Sequence, residues 1–562
     1  QVYRDPFGDP IPSDSAPTPT KEQQRGVSKV VGLLDKGFAT CLLAGVTGSG
    51  KTEVYMQLAS EVIMRRQSVL VLVPEIALIS QIERRFRARF GECVAVLHSG
   101  LSAGERYDQW MRIARNEVTI AIGARSAIFA PFENIGIIIV DEEHDTSYKQ
   151  ETGLRYNARD LAVVRAKHHD AVVLLGSATP SVQSYHNVTI NKSLEINLLN
   201  RVEKRPLPEI TVVDLCKSRD VRGVRRFMTP ALLNAMKETL ERGEQVLLFL
   251  NRRGFASFPV CEACGEAVTC RNCDISLTLH QRANAFRCHY CNFTCPSTSD
   301  CVSCGSSNIK LLGMGTEKIE TAVKAFFTDA RVARMDRDTT ARKGSIIKIL
   351  RDLRNGAIDV LVGTQMVAKG HDFPNITLVG IICADLSLSF PDFRAGERTF
   401  QLLAQVSGRA GRGDVPGRVI LQTYNPNHFS ILAAKDQDFK RFYLEEIAFR
   451  KALNYPPFSR MILLKVSGRD KEKTRRHARS IGDLCHTLKT DQDSVFASVE
   501  ILGPIEASLP KIAKRFRWQI LLKGSNVSAL RRFMRQLLDV NTGVLSNRHV
   551  RVGLDVDPYF MM

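Results

Sequence analysis

The eight residues Gly45-Val46-Thr47-Gly48-Ser49-Gly50-Lys51-Thr52 fit G-x-x-x-x-G-K-[ST], and no other stretch restricts the fold as strongly. Gly45, Gly48, Ser49 and Gly50 let backbone N–H groups converge on a phosphate. Lys51 reaches its β and γ oxygens, the Thr52 hydroxyl suits Mg²⁺, and a helix N-terminus adds a favourable dipole. The pattern has meaning only between a strand and a helix. The apolar run Thr40–Ala44 predicts a buried strand entering the loop, and Glu53–Arg65 predicts the helix leaving it. Just upstream, Glu22-Gln23 opens a helical pattern. The Gln23 amide is suited to reading adenine through its donor and acceptor faces; an ordinary surface glutamine is the competing reading.

From this loop onward apolar strands alternate with amphipathic helices, which implies a parallel sheet covered on both faces. Val69–Val73 runs into Pro74-Glu75-Ile76-Ala77-Leu78, and Ile120–Ile122 into Gly123-Ala124-Arg125-Ser126-Ala127. Ligand crevices lie at the carboxyl ends of such strands. A further strand, Ile137–Val140, ends in Asp141-Glu142-Glu143-His144. There Asp141 suits Mg²⁺ held through water and Glu142 suits polarisation of an attacking water, whereas an acidic turn standing alone would read as solvated surface. Leu174-Leu175-Gly176-Ser177-Ala178-Thr179-Pro180 then places hydroxyls beside the acidic pair. Between the two motifs, Ser147–Arg159 interleaves tyrosine with Lys and Arg. Tyr148, Lys149, Arg155 and Tyr156, with Arg125, are candidate DNA contacts, and loop anchoring is the alternative for the tyrosines.

Length and charge set the wider frame. A chain of 562 residues is too long for one core and implies three to five domains. No apolar run approaches the ~18 residues of a membrane span, so a soluble protein without a membrane partner is expected. Residues 1–20 carry five prolines among Asp, Ser and Thr and read as linker. The chain opens on Gln1 with no secretory signal, which leads to the expectation of a cytoplasmic protein from which an N-terminal part has been removed. The net charge of +19 suggests a polyanionic partner, and residues 451–562, with 20 Lys+Arg against 10 Asp+Glu, carry +10 of it.

A second α/β unit is expected from about Met228, with a strand Gln245–Leu250. It is interrupted by eight cysteines in four C-x-x-C pairs, which in an intracellular enzyme indicates metal rather than disulfides. Eight thiolates make two closed structural zinc sites. Cys270 and Cys273 stand at zinc-ribbon spacing from Cys288 and Cys291, so these four should share one ion. Cys261, Cys264, Cys301 and Cys304 should share the other; an iron–sulfur cluster is the chemical rival. The lobe resumes through Asp359–Met366 and Lys369-Gly370-His371-Asp372, with Gly370 a nucleotide contact, and reaches Gln405-Val406-Ser407-Gly408-Arg409-Ala410-Gly411-Arg412. With Gln405 beside them, Arg409 and Arg412 read as two arginines on one helical face that complete an ATP site as arginine fingers.

The order GVTGSGKT, DEEH, GSATP, GTQMVAKG and QVSGRAGR resembles superfamily 2 helicases over residues 22 to about 425. DEEH followed by SYKQETGLRYNARD, with the eight-cysteine insertion after LNRRGF, more narrowly resembles the PriA (primosomal protein N′) family of bacterial replication-restart helicases. The last segment can be read on its own as β-α-β-β-α-β, a split βαβ fold, with Arg515, Arg517 and Trp518 together as candidate DNA contacts.

The expected architecture is therefore α/β: two tandem RecA-like lobes with a zinc insertion in the second and an α+β C-terminal domain. The expected boundaries are 1–20 linker, 21–227 first lobe, 228–450 second lobe, 255–310 insertion and 451–562 basic domain. The resemblance implies ATP-driven 3′→5′ unwinding at abandoned forks and loading of the replicative helicase. It also implies single-stranded and forked DNA, single-stranded DNA-binding protein and other primosome proteins as partners, and a nucleoid-associated location. Relatives of the family carry an N-terminal fork-binding domain and a winged helix ahead of the lobes, and the sequence read here has neither. A nucleotide-gated scaffold that does not translocate and an RNA helicase remain the alternatives.

Overall fold

The computed structural model describes residue 4 and residues 12–202, 207–217, 223–251, 258–280, 284–297, 300–312, 315–336, 339–340, 345–368, 373, 375–411, 415–540 and 548–561. They form two compact units, residues 1–206 and 207–562.

The first unit holds seven strands: β1 (Ala39–Gly45), β2 (Ser68–Leu72), β3 (Val94–Leu97), β4 (Ile120–Gly123), β5 (Ile135–Val140), β6 (Val172–Ser177) and β7 (Leu194–Leu198). They pair in parallel in the order β3-β4-β2-β5-β6-β1-β7. Central strands such as β5 are buried along their whole length, which is why they read as unbroken Val/Ile runs. Val54, Leu58 and Val62 of the helix Lys51–Met64 share one core with Cys41, Leu43, Ile137 and Ile139. Two strands escape the sequence reading. β3 is four residues long, and β7, at the sheet edge, is only partly buried. The stretch read as linker is fastened at two points, Arg4 to Asp108 at 3.1 Å and Asp14 N to the Ala88 carbonyl at 2.9 Å.

The second unit opens with β8 (Glu209–Asp214) and β9 (Gln245–Phe249). The cysteine module follows, with β10 (Phe258–Cys261), β11 (Thr278–His280), β12 (Ala285–Arg287), β13 (Thr294–Pro296) and β14 (Ile309–Leu312). The lobe resumes with β15 (Val332–Met335), β16 (Val360–Gly363), β17 (Ile376–Ile381) and β18 (Arg418–Thr423). The lobe sheet runs β15-β16-β9-β17-β18-β8, all parallel. The expected boundary at 227/228 is therefore too late. β8 pairs with β18 from Glu209↔Arg418 to Asp214↔Thr423, so the lobe begins before Met228.

The C-terminal part comprises β19 (Arg460–Gly468), β20 (Val499–Ile512), β21 (Arg515–Gly524) and β22 (Val550–Val556), with helices Lys471–Asp491 and Val527–Val540. Its order, β20-β21-β19-β22, is antiparallel throughout and is that of a split βαβ sheet. Both faces of this sheet are covered. Ile462, Leu464, Trp518, Ile520 and Leu522 share a core with residues of the two helices, while Met461, Leu463 and Leu521 share one with the cysteine module.

Candidate nucleotide site, metal sites and nucleic-acid surface

β1 delivers the chain into the phosphate loop, and the helix Lys51–Met64 begins at its end. Gly48 and Gly50 take left-handed backbone angles, φ 85° and 77°, which an L side chain rarely adopts. Lys51 Nζ donates to the Gly45 carbonyl at 2.9 Å, Thr52 is the helix's second residue, and the buried Ser49 Oγ has no hydrogen-bond partner among the described residues. A loop of backbone donors with a lysine and a spare hydroxyl fits a polyphosphate. Gln23 is a correction to the sequence reading. It is 3% exposed; its Oε1 accepts from Thr20 N at 2.8 Å and its Nε2 donates to the Ser49 carbonyl at 3.0 Å. Both faces of the amide thus brace the loop and the start of the helix Lys21–Leu34, and neither is presented to a base.

At the end of β5 each member of the acid box has a separate environment. Asp141 Oδ1 accepts a 2.8 Å hydrogen bond from Tyr55, which is fully buried on the phosphate-loop helix. Burial pushes the Asp141 carboxyl up to about 6, and the neighbouring Glu142 charge adds to this, while Lys51 and the Tyr55 hydrogen bond oppose it. Glu142 has a left-handed backbone, φ 45°, in a non-glycine residue at the expected reacting position. Its Oε2 lies 3.6 Å from His144 Nδ1. Glu143 is buried: Oε2 meets Arg159 Nη1 at 3.1 Å, Ser181 Oγ at 3.1 Å and Ser184 Oγ at 2.7 Å, while Oε1 accepts from Ser181 N at 2.6 Å. Ser177 Oγ accepts from Thr179 N at 3.0 Å and lies 2.8 Å from His144 Nδ1, and Glu143 N donates to the Gly176 carbonyl at 3.0 Å, so the acid box and GSATP are joined twice.

The loop after the acid box corrects the expected DNA surface. Tyr148 is 1% exposed, and its hydroxyl donates to the carbonyls of Asp141 at 2.6 Å and Leu72 at 3.0 Å. It anchors the acid box and cannot stack on a base. Lys149 is also buried, and Arg125 clamps the loop by donating to the Ser147 and Lys149 carbonyls at 3.0 and 2.9 Å. Arg155 Nε donates to the Glu151 carbonyl at 3.2 Å. Tyr156 is half-buried, edge-on to Phe129 at 5.2 Å.

In the second unit Gln405 lies near the end of the helix Ala395–Ser407, and Arg409 lies beyond it, 6% exposed. Arg409 is therefore not on the helix as the sequence reading had it. Gly408 caps the helix, and Gly411, at φ 64°, sends its N–H to the Ile376 carbonyl at 3.1 Å. Gly370 and Arg412 lie outside the described residues, as do Lys369, His371, Asp372 and Arg252–Phe255.

The structure brings the thiols together in two sets, Cys261, Cys264, Cys301 and Cys304, and Cys270, Cys273, Cys288 and Cys291, each within 4.8 Å. The closest sulfurs lie 3.6 Å apart (Cys261 to Cys304, Cys264 to Cys301) and 3.5 Å apart (Cys270 to Cys291). Tetrahedral Zn–S bonds of about 2.3 Å place sulfurs about 3.8 Å apart, so both sets fit Zn²⁺.

On the C-terminal sheet Trp518 is 7% exposed within the helix-facing core, and Arg517 is half-buried, its guanidinium lowered by burial. Trp518 is thus core rather than a stacking platform. Arg515 instead lines a concavity of about 330 Å³ with Arg469, Lys473, Arg548, His549 and Arg551.

Residues 20–188 match the DEAD/DEAH box helicase family model and residues 306–414 the helicase conserved C-terminal domain. Residues 270–296 match the PriA DNA helicase Cys-rich region, and 451–559 the primosomal protein N C-terminal domain. Replication restart protein PriA of Bacillus subtilis (strain 168) is 44% identical over 564 residues, covering 100% of this chain and 69% of the relative. The chain belongs to the PriA replication restart family. The PriA protein of Synechocystis sp. (strain ATCC 27184 / PCC 6803 / Kazusa) is likewise 44% identical, covering 98% of this chain; the chain spans 65% of that relative's length. Among solved structures, RecG bound to a three-way DNA junction matches with 15% identity and a TM-score of 0.45, covering 79% of this chain and 53% of that one. With both helicase domains and PriA relatives along its length, the chain is an ATP-dependent DNA helicase of the PriA family. No helix among the described residues is long and apolar enough to cross a membrane.

Tyr55, Arg159, Ser181 and Ser184 are the residues around the site that sequence reading missed. Tyr55 follows Thr52 by three positions, about one helical turn, which is the signal that could have placed it near Asp141; the others make contacts whose spacing carries no motif.

Proposed function

We propose that the chain hydrolyses ATP to translocate 3′→5′ on DNA, and that in bacteria it unwinds stalled or abandoned forks so that the primosome assembles and the replicative helicase loads. The observation that carries the ATP step is the bond from Tyr55, on the phosphate-loop helix, to Asp141 of the acid box. It fixes a carboxylate beside a loop shaped for phosphate. Gly45, Gly48, Ser49, Gly50 and Lys51 would bind the phosphates. Mg²⁺, held by Thr52 and Asp141, would offset charge on the β- and γ-phosphate oxygens. Glu142 accepts a proton from the attacking water as its oxygen bonds to the γ-phosphorus and ADP leaves. By the family resemblance, Gln405, Arg409 and Arg412 would offset charge on the transferred group. Each thiolate set would hold a structural zinc ion. The basic concavity around Arg515 takes DNA backbone, and single-stranded DNA-binding protein and other primosome proteins are the expected partners in a nucleoid-associated cytoplasmic setting.

The test compares ATP turnover with forked DNA, linear DNA and RNA, together with displacement of strands from 3′- and 5′-tailed duplexes. Forked DNA should stimulate most, and displacement should require the 3′ tail. Turnover without displacement would support a scaffold, and preferential stimulation by RNA would overturn the DNA reading. Lys51→Ala should abolish turnover while DNA binding survives, and Glu142→Gln should bind ATP without turning it over.

A further inference from the structure

The carboxylate of Asp141 is held from an unexpected side. Tyr55 sits on the helix that follows the phosphate loop, with its ring fully buried in the sheet-facing core. A phenol so placed needs a partner for its hydroxyl, and the partner here is Asp141 Oδ1 at 2.8 Å. The approach depends on a third element. Gly176 lies on β6, and a Cβ built there would overlap the Tyr55 hydroxyl and stand 2.9 Å from Tyr55 Cζ. Its carbonyl meanwhile accepts from Glu143 N at 3.0 Å. The phosphate-loop helix, the acid box and the strand leading into Ser177-Ala178-Thr179 therefore meet at one hydroxyl.

We propose that Tyr55 is a positioning residue for ATP hydrolysis: its hydroxyl fixes the Asp141 carboxylate for the metal-bearing nucleotide, and Gly176 is the glycine that lets it do so. The inference rests on the nucleotide site proposed above. Oδ1 is committed to Tyr55, which restricts rotation of the carboxylate about its own bond. Removing the hydroxyl therefore lifts that restriction and leaves the carboxylate without a fixed orientation beside the phosphate loop.

The experiment measures binding of a fluorescent ATP analogue against Mg²⁺ concentration, and ATP turnover, with melting temperature alongside. Tyr55→Phe should raise the half-saturating Mg²⁺ concentration roughly tenfold, the size expected for a lost hydrogen bond to a charged group. Gly176→Ala should damage nucleotide binding in the unaltered background and recover part of it in the Tyr55→Phe background, where the overlapping oxygen is gone. Identical Mg²⁺ dependence of Tyr55→Phe and the unaltered chain overturns the proposal. So does a uniform loss of binding that tracks a lowered melting temperature, because that marks Tyr55 as structural only. If the unaltered chain shows no Mg²⁺-dependent binding at all, the nucleotide site itself is refuted; effects confined to the variants bear on Tyr55 alone.

Discussion

The two four-thiolate sets have the same ligands and the same knuckle geometry, yet they stand in different surroundings. In each knuckle the residue after the second cysteine has positive φ: Gly265 (82°), Asp274 (49°), Asn292 (65°) and Gly305 (70°). Its N–H donates to the carbonyl of the first cysteine, at 2.8 to 3.2 Å. Around the sulfurs the resemblance ends. Cys270, Cys273 and Cys288 are buried in one core with Tyr455, Met461, Leu463, Leu521 and Met561. Tyr455 donates to the Cys273 carbonyl and Gln519 to the His289 carbonyl, both at 2.9 Å. In the other set Cys264 is half-buried and Cys304 exposed. That knuckle is tied to the lobe by polar contacts, with Glu262 to Arg226 at 2.5 Å and Asn425 to Glu266 at 2.9 Å. The inner site is thus a core element of the C-terminal sheet, whereas the outer site is a clip on the second lobe.

Stripping both ions is the largest perturbation, and it should proceed in two phases. The outer ion leaves first through exposed Cys304 with little change in residues 451–562, and loss of the inner ion then loosens that region. Chelator-driven zinc release followed beside limited proteolysis checks the order; simultaneous release with immediate cleavage would erase the distinction. Next in size, Cys273→Ser should cost about 4 kcal/mol or more, on the scale of single changes that remove a metal, and should lower the melting point of the C-terminal region. Cys304→Ser should lose its ion while leaving that melting point nearly in place. Equal shifts in the two variants would break the comparison.

How much of this could be read in the sequence depends on whether a contact is local. Phosphate-loop residues and thiolate pairs do their chemistry at fixed short spacing, so the motif and the grouping into two sets could be read directly. The orientation of aromatic residues could not. Tyr148 reaches the Leu72 carbonyl, 76 residues away, and no local pattern records that bond. In β21, Trp518 and Ile520 face helices while Leu521 faces the cysteine module, so neither face shows the polar alternation that marks an exposed side. Gln23 fails for a related reason: its partners are the carbonyl of Ser49 and the amide of Thr20, backbone groups that carry no residue signature. The strand Glu209–Asp214 precedes the motifs that define its lobe, and only its pairing with β18 assigns it.

The comparison sharpens inside the outer site, where the two positive-φ glycines differ in space. A Cβ at Gly265 would overlap the carbonyl oxygen of Tyr424 on the lobe. Gly265→Asn should therefore destabilise by about 1–3 kcal/mol, the range for overpacking against backbone, and should weaken the grip of the knuckle on the lobe.

Gly305 is the opposite case and the smallest expected effect. It has φ 70°, but nothing lies within 4 Å of a Cβ built on it. Asparagine tolerates the left-handed region better than other side chains because its short polar group hydrogen-bonds locally. The inner knuckles already place Asp274 and Asn292 at the equivalent position with φ 49° and 65°, so the backbone turn accepts such a residue. Gly305→Asn also narrows the unfolded ensemble, which offsets part of the remaining strain. The expected change in unfolding free energy is within about 0.5 kcal/mol, with zinc content unchanged. Thermal unfolding and metal analysis of the two asparagine variants side by side decide the matter. A Gly305→Asn loss as large as that of Gly265→Asn would show that the turn itself, rather than contact with the lobe, demands glycine in the outer site.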